Sequence, residues 1–425
     1  MKASKGSLSS RRVPEIGLIP EDWEVVKLEE VADEIYYGIT AKGVNYKTKL
    51  KMIRTTDITN YHVDWSTIPY CEVTEKRSDL SKYYLRQNDI IVARAGTVGV
   101  SVLIEKDMED VIFGSYLIKI RVSSKVYPKF LHYFFQSKFY WQHLQKAQGS
   151  TLKNINLPLL KSLLIPLPPL PEQKKIAEIL RTVDGAIGKV DETIERTERL
   201  KKGLMQELLT KGIGHREFKD AEIGRIPKEW EVVKLGDIRF FKLIMGQSPP
   251  SSTYNKSGIG IPFLQGCAEF GKIYPSPNLY CSKPLKIVRL GDILISVRAP
   301  VGEINIADTN LCIGRGLAAL RPKEKSVNTF YIYYALHKAK GKLKNRSSGS
   351  TFKAIAKRDL ENFQIPLPPL PEQKQIAKIL MTVDKKLELL REKKKTLEQL
   401  KKGLMNGLLT GRRRVKVEPP KETLF

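Results

Sequence analysis

The sequence predicts an α+β protein organised as an internal repeat. Two similar globular domains are separated by two long helices, which form an antiparallel coiled coil about a pseudo-two-fold axis. Three observations carry that expectation. Residues 165–184 and 365–384 differ at only three of 20 positions: Lys175/Gln375, Glu178/Lys378 and Arg181/Met381. The segments IGLIPEDWEVVKL (16–28) and IGRIPKEWEVVKL (223–235) open the two halves in near-identical form. After Pro171 and again after Pro371, apolar residues recur at alternating spacings of four and three, the seam of a helix that faces a partner along its length.

Residues 1–15 are polar and basic with no apolar core, and read as a flexible arm rather than a secretory signal. The first globular domain is placed at 16–165. It opens with a turn and the short strand WEVVKL, where Trp23 is a core anchor, as Trp230 is in the second copy. Asp89–Ala93 and Leu117–Ile120 read as buried strands, and the aromatic stretch Phe130–Leu144 as a helix. The stretch IPLPPLP at 165–171 is extended, because proline cannot sit in a helix interior.

The first spacer helix occupies 166–212. Pro171 suits its first turn and Glu172 complements its dipole. Its seam is Ile176, Leu180, Val183, Ile187, Val190, Ile194 and Thr197, with Leu204, Leu208 and Leu209 extending it, and Gly212 and Gly214 stop it. A continuous helix from Pro171 to Leu209 would be about 58 Å long.

The second domain, 213–365, repeats the scheme with strands at Asp292–Ser296 and Leu317–Leu320 and a helix at Phe330–Leu343. The second spacer, 366–411, carries Ile376, Leu380, Val383, Leu387, Leu390, Leu397, Leu400, Leu404 and Leu408 on its seam, interrupted at Lys394 and closed by Gly411. Residues 412–425 read as a disordered tail. Two such apolar stripes are not stable alone in water. Antiparallel pairing closes the chain without a long crossover; a parallel pair, or two helices each packed on its own domain, are the other arrangements.

Lys and Arg exceed Asp and Glu by 73 − 46 = 27 charges, which favours a polyanionic partner such as nucleic acid. No apolar run is long enough to span a membrane. The four cysteines, Cys71, Cys267, Cys281 and Cys312, form no C-x-x-C pair and read as reduced thiols of a cytoplasmic protein. There is no phosphate loop, H-E-x-x-H or G-x-S-x-G, so no catalytic, metal or cofactor site is expected in this chain.

What remains is recognition. Arg94 and Arg298 follow buried strands, in the loops ARAGTVG and VRAPVG. Loops at strand ends commonly bind, and an arginine there takes a phosphate or a guanine edge, or else pairs a carboxylate structurally. The runs Gly149–Lys153 and Gly349–Lys353 look like turns entering helices. There Lys153 and Lys353 would suit a phosphate, and a plain capping motif is the alternative.

The P-L-P-P-L-x-E-Q-x-x-I-A-x-x-L blocks at 167–180 and 367–380 and the I-G-x-I-P-x-x-W-x-x-x-K-L openings resemble those of type I restriction–modification specificity subunits. So do IMGQSPPSSTYNKSGIGIPFLQG (244–266), GDILISVRAPVG (291–302), IGRGLAALRP (313–322) and GSTFKAI (349–355). The first unit matches more loosely: Arg54-Thr55-Thr56-Asp57-Ile58 stands where Phe263-Leu264-Gln265-Gly266 stands in the second, and Arg54 and Gln265 join the candidate DNA contacts. The resemblance implies a non-catalytic subunit whose two target recognition domains each read half of a split, non-palindromic site in double-stranded DNA. The helices would set the gap and dock methyltransferase subunits, two in number. Those partners would bring S-adenosylmethionine for adenine-N6 methylation, and restriction/translocase subunits would bring ATP and Mg. A coiled-coil bridge between ligands other than DNA, and a self-sufficient methyltransferase or nuclease, are the competing readings.

Overall fold

The computed structural model describes residues 10–13, 16–74, 79–148, 154–345 and 354–417. They form two compact units, each taking part of both long helices: residues up to Val190 with those from Lys393 onward, and Asp191–Glu392. Packing therefore cuts across the helices where the linear division by sequence does not.

In the first unit the alternation of side chains along the strands builds three layers. A four-stranded antiparallel sheet, in the order Ser101–Leu103, Ile90–Ala93, Leu117–Val122, Ala32–Tyr37, lies in the middle. Ile90, Val92, Ile118 and Ile120 face Leu131, Phe134 and Tyr140 of two helices and Phe135 between them. Their neighbours Ile91, Ala93 and Leu117 face the opposite way, onto Met52, Ile53, Ile112 and Phe113 of a five-stranded sheet. This is the period-two rule of a strand buried on both faces.

The second unit repeats the plan. Ile293, Ile295, Ala318 and Leu320 face the helix Thr329–Asn345. Leu294, Leu317 and Ala319 face Leu264 and Ile313 of its own five-stranded sheet. In each unit the opening strand pairs with the extended stretch that precedes the long helix: Glu24–Lys27 with Leu164–Leu167, and Glu231–Lys234 with Gln364–Leu367. The two ends of each globular repeat are thus sewn together just where the helix starts.

The long helices run Leu170–Leu208 and Leu370–Leu408. In the first unit, Glu172 meets Arg414, Ile176, Ala177 and Leu180 cluster with Met405, Leu408 and Leu409, and Asp184 pairs with Lys401. In the second, Ile376, Ala377 and Leu380 cluster with Leu208 and Leu209, Asp384 pairs with Lys201, and Arg391 with Glu198. Partner numbers fall as helix numbers rise, so within each unit the two helical segments are antiparallel. Ile176, Leu180, Val190, Thr197, Ile376, Leu380 and Leu387 are buried, and Val183, Ile187, Ile194, Val383, Leu390 and Leu397 are half-buried. Leu400, placed on the seam by spacing, is 49% exposed; after Lys394 the stripe passes through Leu397, Leu404 and Leu408 instead.

Three further expectations change. The basic arm is not wholly loose: Ser10–Val13 pairs antiparallel with Gly17–Pro20, and Arg11 donates to the Trp23 carbonyl at 2.8 Å. The tail is anchored at its start, where Arg414 makes bidentate contact with Asp22 and with buried Glu172. The helix expected over Phe130–Leu144 is two helices, Pro128–Phe134 and Lys138–Gln148. Between them the Ser137 hydroxyl accepts the Tyr140 N–H and starts a new helix.

Candidate nucleic-acid interface

Each unit gathers its loops at one edge of the two sheets, through the same backbone bonds. In the first, Gly38 N–H donates to Leu117, Ile39 to Phe113, Gly114 to Ile53, Arg94 to Tyr116 and Ile155 to Arg94. In the second, Gly246 donates to Leu317, Gln247 to Ile313, Gly314 to Leu264, Val297 to Gly316 and Ile355 to Val297. The facing glycines are required. A Cβ on Gly38 would lie 2.2 Å from the Gly114 carbonyl oxygen, and one on Gly246 would lie 2.1 Å from that of Gly314. One backbone frame therefore presents two different sets of side chains.

In the first unit, Arg54 directly follows the strand Leu50–Ile53 and is held by Asp57 through its Nε (3.1 Å) and Nη2 (2.8 Å). The Thr97 hydroxyl donates to the Thr55 carbonyl at 3.0 Å, which ties this turn to the loop after Ala93. Arg94 lies with its guanidinium carbon 4.3 Å from the Tyr37 ring centroid, and its Nε donates to Asn154 Oδ1 at 3.2 Å. Tyr116 stands beside it, 65% exposed. Among the described residues Arg94 therefore pairs no carboxylate; its partners are an aromatic face and an amide.

In the second unit, Gln265 follows the strand Ile261–Leu264, as Arg54 follows its own strand, and both sites flank the parallel pairing of that strand with the one ending at Phe113 or Ile313. Gln265, Arg298 and Arg315 are exposed, and none of the three side chains makes an ion pair or hydrogen bond among the described residues. The Arg315 N–H bonds Ser248 Oγ at 3.1 Å, and Gly316 packs on the Gln265 carbonyl. Arg298 is one residue beyond the structural counterpart of Arg94, which is Val297, and is bridged to Ala354. Lys153 and Lys353 lie outside the described residues. Tyr37, Asn154, Tyr116, Ser248 and Arg315 were not singled out from sequence. The motif G-R-G around Arg315 was a usable signal, since flanking glycines allow close backbone packing that pushes the side chain between them outward.

Two sets of largely part-buried polar contacts join each globular repeat to the long helices. Glu172 accepts from Trp23 Nε1 (3.1 Å) and from Arg414, and Glu372 accepts from Trp230 Nε1, His215 and the Ile213 N–H, each at 2.9 Å. The Tyr133 hydroxyl donates to Asp184 at 2.8 Å, and Lys401 sits 2.8 Å from the other carboxylate oxygen and over the Tyr133 ring. Tyr334, Asp384 and Lys201 repeat this set. Burial, and then the adjacent carboxylate, push both tyrosine hydroxyls well above their ordinary range, so they remain donors.

Among the described residues, Lys119 of the first unit is the one buried lysine. Lys119 is 1% exposed, with its Nζ 2.7 Å from the Lys82 carbonyl and 3.3 Å from Glu34. Burial lowers its pKa against the opposing pull of Asp89 and Glu34. Beside it Arg121 binds Asp89 just as Arg321 binds Asp292, at 2.7 Å in both units. No helix among the described residues is long and apolar enough to cross a membrane.

A family described as the type I restriction modification DNA specificity domain has a model that matches residues 20–197 and again 227–399. Over 410 residues the chain is 46% identical to a putative type I restriction enzyme MjaX specificity subunit of Methanocaldococcus jannaschii, covering 95% of this chain and 96% of that one. It is 30% identical over 416 residues to the MjaVIII specificity subunit of the same organism, with 94% of each covered. A chain from a solved structure concerned with complex assembly and conformational transition of the type I R-M system superposes with a TM-score of 0.62 at 31% identity, covering 93% of this chain and 99% of that one. The HsdS subunit from Thermoanaerobacter tengcongensis gives 0.51 at 30% identity, covering 93% and 98%.

Proposed function

The chain belongs to the type I restriction–modification DNA specificity family, and from that premise we propose that it is the subunit that chooses the site: each globular unit reads one half of a bipartite, non-palindromic sequence in double-stranded DNA. The paired long helices set the gap between the halves and dock methyltransferase subunits, two in number. Chemistry is left to those partners. The methyltransferase subunits supply S-adenosylmethionine and methylate adenine at N6, and restriction/translocase subunits use ATP and Mg.

One observation carries this reading. The same five backbone bonds frame the loop edge in both units, while side chains at its matched positions differ: Tyr37/Met245, Arg94/Val297, Tyr116/Gly316 and Asn154/Ala354. A common frame with divergent tips suits reading of two unlike base sequences. Phosphate contacts would hold the frame in register, and the tips would reach base edges. The excess of 27 positive charges supports the phosphate part of that scheme.

The test is a ruler experiment. Inserting one heptad into each long helix adds about 10 Å of rise, near three base pairs. Methylome sequencing of cells expressing that variant with its methyltransferase subunit should show unchanged half-sites with a wider gap. Exchanging residues 29–164 for another unit should change one half-site only. An unchanged gap, or a swap that alters both halves, would remove the proposal.

A further inference from the structure

We propose that Arg94, fixed in place by Tyr37 and Asn154, is the residue with which the first unit selects a guanine in its half-site. This rests on the function proposed above and adds the base read and the residue that reads it.

The argument starts from a three-position exchange. Backbone pairing makes Tyr37, Arg94 and Asn154 the structural counterparts of Met245, Val297 and Ala354. Tyr37 and Met245 precede the matched glycines and pair with Ile118 and Ala318. Arg94 and Val297 accept from Ile155 and Ile355, and Asn154 and Ala354 precede those isoleucines. In the second unit Val297 is buried at 3% exposure. The three positions hold an aromatic, a cation and an amide in one unit and three apolar residues in the other. Since Val297, Met245 and Ala354 occupy the same frame, the frame itself does not need the polar trio.

The trio is also geometrically specific. The Leu157 N–H donates to the Tyr37 hydroxyl at 3.0 Å, which holds the ring. The ring faces the guanidinium at 4.3 Å and sets its plane. Asn154 Oδ1 takes Nε at 3.2 Å and so fixes rotation within that plane. Nη1 and Nη2 make no hydrogen bond among the described residues, and Arg94 is half-exposed at the loop edge. A planar pair of N–H donors held in a fixed orientation matches the adjacent O6 and N7 acceptors of guanine in the major groove. Holding the fork in advance leaves little rotamer freedom to be lost on binding. Arg54 is unsuited to this role, because Asp57 already occupies its Nε and Nη2.

The experiment uses the full chain with its methyltransferase subunit, selecting from duplex DNA in which both half-sites are randomised. Arg94→Val and Arg94→Lys should each relax one guanine position in one half-site, with discrimination falling roughly five- to hundred-fold, and leave the other half-site intact. Tyr37→Leu should relax the same position, and Tyr37→Phe, which keeps the ring, should preserve most of the preference. The triple exchange Tyr37→Met, Arg94→Val, Asn154→Ala installs the second unit's own trio, so folding is expected. It should lose the same guanine. A selected motif that is unchanged in Arg94→Val would overturn the assignment. So would binding weakened equally on every sequence with a salt dependence shallower by about one phosphate contact. If the wild-type chain selects no bipartite motif, the proposed function fails with it; a normal motif retained by the variants sinks only the role of Arg94.

Discussion

Replacing Glu172 with glutamine tests how each recognition domain is fastened to its long helix. Glu172 is 3% exposed and accepts three hydrogen bonds: one from Trp23 Nε1 at 3.1 Å and two from Arg414, at 2.8 and 2.9 Å. Glutamine can still accept from the indole and from Arg414 Nη2, which share one oxygen, but its amide nitrogen would face Arg414 Nε with no acceptor between them. Hydrogen bonds to charged groups contribute about 1.5–3 kcal/mol each. Arg414 keeps its bidentate contact with the half-exposed Asp22, so only part of that is lost. The expected cost is about 2–3 kcal/mol, equivalent to a fall of about 4–12 °C in Tm for a unit of this size.

The equivalent change in the second unit, Glu372→Gln, should be milder, about 1 kcal/mol. There Trp230 keeps its oxygen, and the new amide nitrogen meets His215, whose ring nitrogen can become its acceptor, and the Ile213 N–H, so the bond lost is a neutral backbone one rather than one to an arginine. Urea unfolding measures both, and amide hydrogen exchange at 22–27 and 405–417 localises the first. Equal losses for the two variants would refute the account, because it makes the arginine, rather than the carboxylate alone, responsible for the difference. A double-mutant cycle with Arg414→Met should return a coupling above about 1 kcal/mol.

Acid should weaken the first unit through His132. Burial, and then the charges of His62, Lys401 and Lys129, push its pKa down to about 3. The unfolded chain therefore takes up the proton first. This contribution is intact above about pH 6.5 and declines as pH falls toward 3, amounting to about 2 kcal/mol between pH 7.5 and 5. Denaturation curves at those two pH values check it, and His132→Gln should remove that part of the slope. Tyr334→Phe should cost about 1–2 kcal/mol, since it strips a donor from Asp384 while Lys201 stays on the other oxygen; sequence preference should not change, and a shifted DNA motif would contradict a purely structural role.

The sequence by itself determined the repeat, the α+β class, the apolar seams of the long helices and the strands around Ile90 and Ile293. Each of these is a local period or a literal recurrence, and buried apolar side chains at the wrong spacing would have no core to enter. Trp23 and Trp230 were legible as core anchors for the same reason. Only the tertiary structure decided the chemistry of the loop edges. Arg94 reads identically in sequence whether it meets a carboxylate, a phosphate or the ring of Tyr37, because its partners arrive through sheet pairing from distant segments. The one-residue shift of the arginine, by contrast, is legible in DIIVARAG against DILISVRAP, and backbone hydrogen bonds make Val297 the counterpart of Arg94. Arg414 looked like part of a solvated terminus until folding brought Asp22 and Glu172 to it. Periodicity encodes which faces are buried; which polar groups meet is encoded in register, and register exists only once the strands have paired.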